Sequence, residues 1–250
     1  MKKIFYVFLG LFFLTGSLYL SANNIKIDNT PTTVGQNTTA GVNNAANFTY
    51  VQFDMSWDNS WHNAINYDAA WIFVKYRNGS TGNWNHCLLS SVSSDHSVNN
   101  NNGVAVSIEA VADNLGIFIH RSGDGTGSNN WDGVTLSWNY GANGVPDSAD
   151  VTVKVFVIEM VYVPQGTFYL GSGGGETAHF YTYPASAVPY GITSENAINV
   201  GATNDYLYYS TGGNYGDGSG PVPASFPKGY NAFYCMKYEI TQEQYADFMQ

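Results

Sequence analysis

The sequence predicts a mainly β protein, with a two-sheet sandwich over residues 23–158 and a smaller region of mixed α and β structure over 159–250. Three observations carry that expectation. Apolar and polar residues alternate in short runs, Gly- and Asn-rich segments separate those runs, and a single capped helical stretch departs from the pattern.

The N-terminus is set apart first. Lys2 and Lys3 precede an apolar run from Ile4 to Leu20 that leads into Leu20-Ser21-Ala22, the pattern of a signal peptide over 1–22. The run approaches the length of a membrane span, so an anchor is the alternative reading; the small Ala22 and the polar Asn23-Asn24 favour cleavage, and no cysteine stands at the exit for lipid attachment. The expected location is extracytoplasmic: periplasmic, cell-surface or secreted.

Acidic residues outnumber basic ones 19 to 9 among 250, for a net charge of −10. That balance argues against nucleic acid and anionic membrane surfaces as partners and leaves a protein or glycan ligand open.

The sandwich strands follow in order. In YVQFDMSW, Val51, Phe53, Met55 and Trp57 fall on one face and Tyr50, Gln52, Asp54 and Ser56 on the other, as in a half-buried strand. AWIFVKYR, from Ala70, is apolar on both faces before Lys75 and Arg77, which reads as a central strand. GVAVSIEA, LGIFIHR, GVTLSWNY and VTVKVFVIEM complete a set whose spacing suits an immunoglobulin-like sandwich.

Candidate sites in this half are few. Trp57, Trp71 and Trp138 sit in strand runs and read as core, whereas Trp61, Trp84 and Trp131 fall near loops and are the candidates for stacking on a sugar ring. GDGTGSNNWDG gathers Asp124, Asn129, Asn130 and Asp132; it reads as an Asn/Gly hairpin, with an oxygen-ligand calcium loop as the alternative. His62, His86, His96, His120 and His179 lack metal-site spacing. Cys87 and Cys235 are too few for a disulfide framework, and Cys235 reads as a small buried hydrophobe.

In the second region, Pro164 and Gly166 predict a turn, and Glu239 and Lys237 share a strand face on which they can pair. Thr241 and Gln244 form a capping box, Ile240 and Tyr245 a hydrophobic staple, and Glu243 lies in the first turn where the helix dipole favours it. Tyr245, Phe248 and Met249 form one apolar stripe with no closing Gly, Pro or basic turn, so the helix is expected to continue in a longer natural chain.

Two stretches carry a resemblance. IEMVYVPQGTFYLGSGGG, through Met160, Val161, Val163, Pro164, Gly166, Phe168, Leu170, Gly171 and Ser172, is similar to the opening of the formylglycine-generating enzyme, or sulfatase-modifying factor, family. KGYNAFYCMKYEITQEQYADFMQ, through Lys237, Tyr238, Glu239, Ile240, Thr241, Tyr245 and Phe248, resembles that family's second block. The resemblance implies the N-terminal portion of an α+β, C-type-lectin-like domain, interrupted by a Gly/Ser/Asn-rich insertion at about 173–227 expected to be a long, mobile connection. It also implies copper- or iron-dependent oxidative chemistry in enzymatic members. None of that chemistry maps onto this chain: neither Cys87 nor Cys235 matches a catalytic position, and no catalytic, cofactor or metal residue is assigned. The expected function is the leading part of an exported protein of this family, without its catalytic part. The alternative is a non-catalytic extracellular binding or adhesion module, either lectin-like or a glycan-binding sandwich.

Overall fold

A computed structural model describes residues 23–176, 178–210 and 220–249. The expected signal segment 1–22 and the stretch 211–219 of the insertion lie outside the described residues, as do Thr177 and Gln250. The described chain is mainly β, built on a curled antiparallel sheet.

The strands, in chain order, are β1 (Lys26–Ile27), β2 (Thr32–Asn37), β3 (Phe48–His62), β4 (Tyr67–Asn78), β5 (Asn85–His86), β6 (Ser97–Asn100), β7 (Val106–Ala110), β8 (Ile117–Arg121), β9 (Gly125–Trp138) and β10 (Val151–Val163). Four short strands follow, β11 (Phe168–Leu170), β12 (His179–Thr182), β13 (Tyr190–Ile192) and β14 (Leu207–Ser210), then β15 (Phe233–Met236) and the helix α1 (Gln242–Met249).

The curl starts at the β3–β4 turn. Asn63 Oδ1 accepts the backbone N–H groups of Ile65 and Asn66, an Asx turn that reverses the chain. Beyond it the two strands pair only at His62↔Tyr67 and then diverge. β3 runs along β9, and β4 along β10 with β8 on its other edge, so the sandwich-like layers are two halves of one sheet. Between them lies one core. Val51, Phe53, Met55 and Trp57 are buried, as their alternation requires, against Ile72, Val74, Ile117, Ile119, Trp131 and Leu136. Trp57 and Trp131 meet edge to face at 4.9 Å, a geometry worth about 0.5–1.5 kcal/mol beyond burial.

The segment expected as a hairpin around Asp124–Asp132 belongs almost entirely to strand β9. The fifteen-residue β3 offers a ladder long enough to recruit it, with register shifts that place one extra residue in β9 at Phe53/Met55 and one in β3 at Trp57/Ser60. Consequently Asn129 turns into the core while Asn130 and Asp132 face outward, so these groups do not converge as a calcium loop would need.

β10 runs unbroken from Val151 to Val163, through the expected boundary at 158, and pairs with β4 from Val151↔Asn78 to Tyr162↔Tyr67. Its last residues also pair with β15, Met160↔Met236 to Val163↔Phe233. The two motif stretches therefore form one antiparallel ladder on the edge of the main sheet. Between β10 and β11, where the sequence predicts a turn at Pro164 and Gly166, the chain bends at Gln165 and Gly166 N–H donates to Tyr230 O.

The insertion is not the structureless connection expected. β11 pairs with β13 and β12 with β14 around a small core of Ile192, Ile198 and Leu207. Gly171 has φ +94°, and a side chain there would strike Phe180 O, so the motif glycine serves both conformation and close approach. Glu195 then ties the insertion to the second motif, accepting backbone N–H groups of Lys228, Tyr230 and Asn231; these bonds hold its carboxyl below the usual range.

α1 carries its capping box as the sequence predicts: Thr241 N–H donates to Gln244 Oε1 and Gln244 N–H to Thr241 Oγ1, both at 3.0 Å. Phe248 packs edge-on against Phe73 and Phe156, which stack at 4.9 Å on the outer face of β4 and β10. Ile240 and Tyr245 stay half exposed.

Candidate functional site

The richest grouping of chemically capable side chains sits where β10 and β15 join β4, on both faces of that part of the sheet. Because side chains alternate along a strand, neighbours Tyr67 and Asp68 on β4 belong to opposite faces and organise two separate clusters.

On the outer face, Tyr67, Tyr162 and Tyr234 lie in one cross-strand row. Tyr67 stacks between Tyr162 at 4.7 Å and His120 at 4.2 Å, and His62 stacks on Tyr67 at 4.9 Å. Tyr234 leans back over the sheet to stack on Phe118 at 3.8 Å. Glu109 on β7 closes the group: one carboxylate oxygen accepts the Tyr234 hydroxyl at 2.8 Å and the other meets His120 Nε2 at 3.1 Å. The Tyr67 and Tyr234 hydroxyls are 3.1 Å apart. His120 above all, and also Tyr234, hold the Glu109 carboxyl below the usual range against the opposing effect of burial. Burial, reinforced by Tyr67 and Glu109, pushes the Tyr234 phenol far up. The result is a chain of hydroxyl, carboxylate and imidazole groups with an ionised acid at its centre, half open to solvent.

On the inner face, Asp68 is fully buried and accepts hydrogen bonds from Ser60 Oγ at 2.7 Å, Trp61 N at 3.1 Å, Trp57 Nε1 at 3.3 Å and Lys237 Nζ at 3.4 Å. Arg121 Nε donates to the same Ser60 hydroxyl at 3.2 Å. Lys237 Nζ also donates to Glu159 Oε1 at 2.7 Å, and Asn23 Nδ2 donates to that same oxygen. Both buried carboxylates thus pair with the single ammonium of Lys237, with Arg121 reaching Asp68 only through the Ser60 hydroxyl; pairing is what makes buried charge tolerable. Burial pushes the Glu159 carboxyl up against the pull of Lys237 and Asn23; for Lys237, burial is outweighed by Glu159 and Asp68, and the ammonium is held above its ordinary range. Lys237 pairs here rather than with Glu239: it lies in the bend just after β15, where its backbone N–H bonds Glu159 O at 3.0 Å and its ammonium reaches Glu159 and Asp68.

The tryptophan candidates do not share a surface. Trp131 is fully buried and donates its Nε1–H to Val104 O at 3.1 Å, since β9 continues through the expected loop and points it inward. Trp61 is half buried on β3 beside the β4 start, whereas Trp84 lies under Arg77 at 4.7 Å, near the other end of β4; ten residues of strand separate Tyr67 from Arg77, about 33 Å. Cys87 is buried and Cys235 exposed, the reverse of the expectation for Cys235, because β15 is an edge strand whose Cys235 side stands clear of the sheet.

Sequence reasoning missed Glu109, His120, Tyr234, Asp68 and Glu159 as a group. The available signal was the presence of Asp68, Glu159 and Lys237 inside otherwise apolar strand runs. Among the described residues no set of three or more His, Cys, Asp or Glu side chains is placed to hold a metal ion, so the donor set does not fit the copper or iron that the resemblance implies. Comparison with known families, with curated proteins and with solved structures found no match.

Proposed function

We propose that this chain is the leading part of an exported protein of the sulfatase-modifying-factor kind, in which an immunoglobulin-like sandwich carries the opening strand, second strand and helix of a C-type-lectin-like domain, and that this part binds protein rather than catalyses. One observation supports the reading: the two motif stretches, separated by the whole insertion, lie side by side as the β10–β15 ladder and lead into a capped helix. Beside that ladder runs an apolar strip. Phe233, Met236, Tyr238, Ile240, Tyr245, Phe248 and Met249 are each 42–65% exposed, and exposed apolar side chains gathered within one short segment are what a protein contact would cover. The remaining body of a lectin-like domain is the occupant this reading assigns to it.

The test is hydrogen exchange over 233–249 in this chain and in a longer product of the same reading frame. Protection of that segment in the longer product is the expected result. Equal exchange in both would overturn the reading.

A further inference from the structure

We propose that Lys237 and Asn23 become joined by an intramolecular amide bond, formed inside the folded chain with Glu159 as the proton shuttle. The amine and the carboxamide are neighbours across a single atom: both Lys237 Nζ and Asn23 Nδ2 hydrogen-bond Glu159 Oε1. All three groups are withdrawn from water, with Asn23 4% and Glu159 5% exposed and the Lys237 side chain 18% exposed. Asp68, fully buried, takes a second hydrogen of the amine at 3.4 Å and fixes its direction.

These are the parts an amide exchange needs. A lysine amine is a nucleophile only when neutral. Glu159 accepts a proton from the Lys237 ammonium across their 2.7 Å hydrogen bond; burial, which favours the protonated carboxyl, works for this transfer, and the neighbouring carboxylates that hold the ammonium above its ordinary range work against it. The freed Nζ attacks Asn23 Cγ, forming the new C–N bond. Glu159 passes that proton to the Asn23 side-chain nitrogen, the old C–N bond breaks and ammonia leaves, and the second proton that Nζ sheds on becoming an amide nitrogen stays on the Glu159 carboxyl or departs with the ammonia as ammonium. One C–N bond is made and one is lost, with no change of oxidation state and no further reactant. The product would staple the start of the sandwich to the strand–helix junction, replacing a buried ion pair with a covalent tie.

The sequence supplies a direct readout. After Lys228 the only lysine or arginine is Lys237, so trypsin frees Gly229–Lys237 and Tyr238–Gln250 from an unlinked chain. The linked chain instead yields Gly229–Gln250, uncut after Lys237, attached to the peptide ending at Lys26 and lighter than the sum of the two by one ammonia. That product is expected from the purified full chain and is absent from Lys237→Arg. Glu159→Gln keeps the shape of the site and is expected to slow its appearance at least about tenfold. The unmodified peptides in full yield from the parent chain, held folded for days, would overturn the proposal whatever the variants do. A cross-link to Lys237 made with loss of one water would overturn the assignment to Asn23, since a carboxylate, Glu159 at 2.7 Å or Asp68 at 3.4 Å, would then be the acyl partner.

Discussion

Tyr234 donates its hydroxyl hydrogen to Glu109 across 2.8 Å, tying together residues 125 positions apart. The bond crosses the outer face of β10 and β4, so the second motif is held to the sandwich by a side-chain clasp as well as by the β10–β15 ladder.

Removing the hydroxyl and removing the ring therefore have separable effects. Tyr234→Phe keeps the stack on Phe118 and loses the bonds to Glu109 and Tyr67, an expected loss of about 1 kcal/mol. Tyr234→Ala also empties the ring's site, for a total near 3–5 kcal/mol. Urea unfolding midpoints measure both, and equal losses would show that the ring contributes nothing.

Glu109 makes the clasp acid-sensitive. Its carboxyl titrates lower in the folded chain than in the unfolded one, first because of His120. The stabilisation is therefore fully present above the unfolded glutamate value of about 4.3 and is lost as pH falls through the lower folded value. Glu109→Gln is expected to flatten the acid limb of stability below about pH 4, and thermal melts between neutral and acid pH check it. An unchanged acid limb would remove Glu109 from the clasp.

Gly116 is set by proximity rather than by backbone angle. A Cβ there would lie 2.5 Å from Trp71 ring atoms and 2.6 Å from Ile72 O. Gly116→Ala is expected to cost about 1–3 kcal/mol, and Trp71→Leu in the same chain should recover only part of that, because the carbonyl remains. Full recovery would place the whole conflict on the indole.

Thr241 governs the helix start. Thr241→Ala removes the acceptor for Gln244 N–H and is expected to weaken α1 by about 1 kcal/mol, while Thr241→Ser retains it. Faster amide exchange confined to 242–249 in the alanine variant is the signature.

Limited proteolysis is expected to cut within 173–227, where two two-stranded sheets surround only a small core. The fragments should nonetheless co-elute in gel filtration, because β15 remains paired to β10 and Phe248 remains seated on Phe73 and Phe156. Release of the C-terminal fragment without denaturant would show that these contacts are too weak to hold it.

Local patterns settled much of this architecture in advance. The alternation in YVQFDMSW determined which face of β3 is buried, because successive side chains on a strand must point opposite ways. The spacing of Thr241 and Gln244 determined the helix cap, because both bonds span only three residues. The pairing itself was not among those patterns: Met160–Val163 of the first motif stretch pair with Phe233–Met236, just ahead of Lys237 in the second.

What those patterns could not carry was pairing over distance. Whether GDGTGSNNWDG turns back or continues as strand depended on the length of β3, lying some seventy positions earlier in the chain, and that choice buried Trp131 and Asn129. Likewise Asp68, Glu159, Lys237 and Asn23 are unremarkable one at a time; only the sheet order that lays β10 between β4 and β15 brings Lys237 and Asn23 to one Glu159 oxygen and Lys237 to Asp68. Side-chain direction is a property of neighbouring residues and can be read from them, whereas the convergence of charges depends on which strands share an edge, and that is decided by the burial of the whole core.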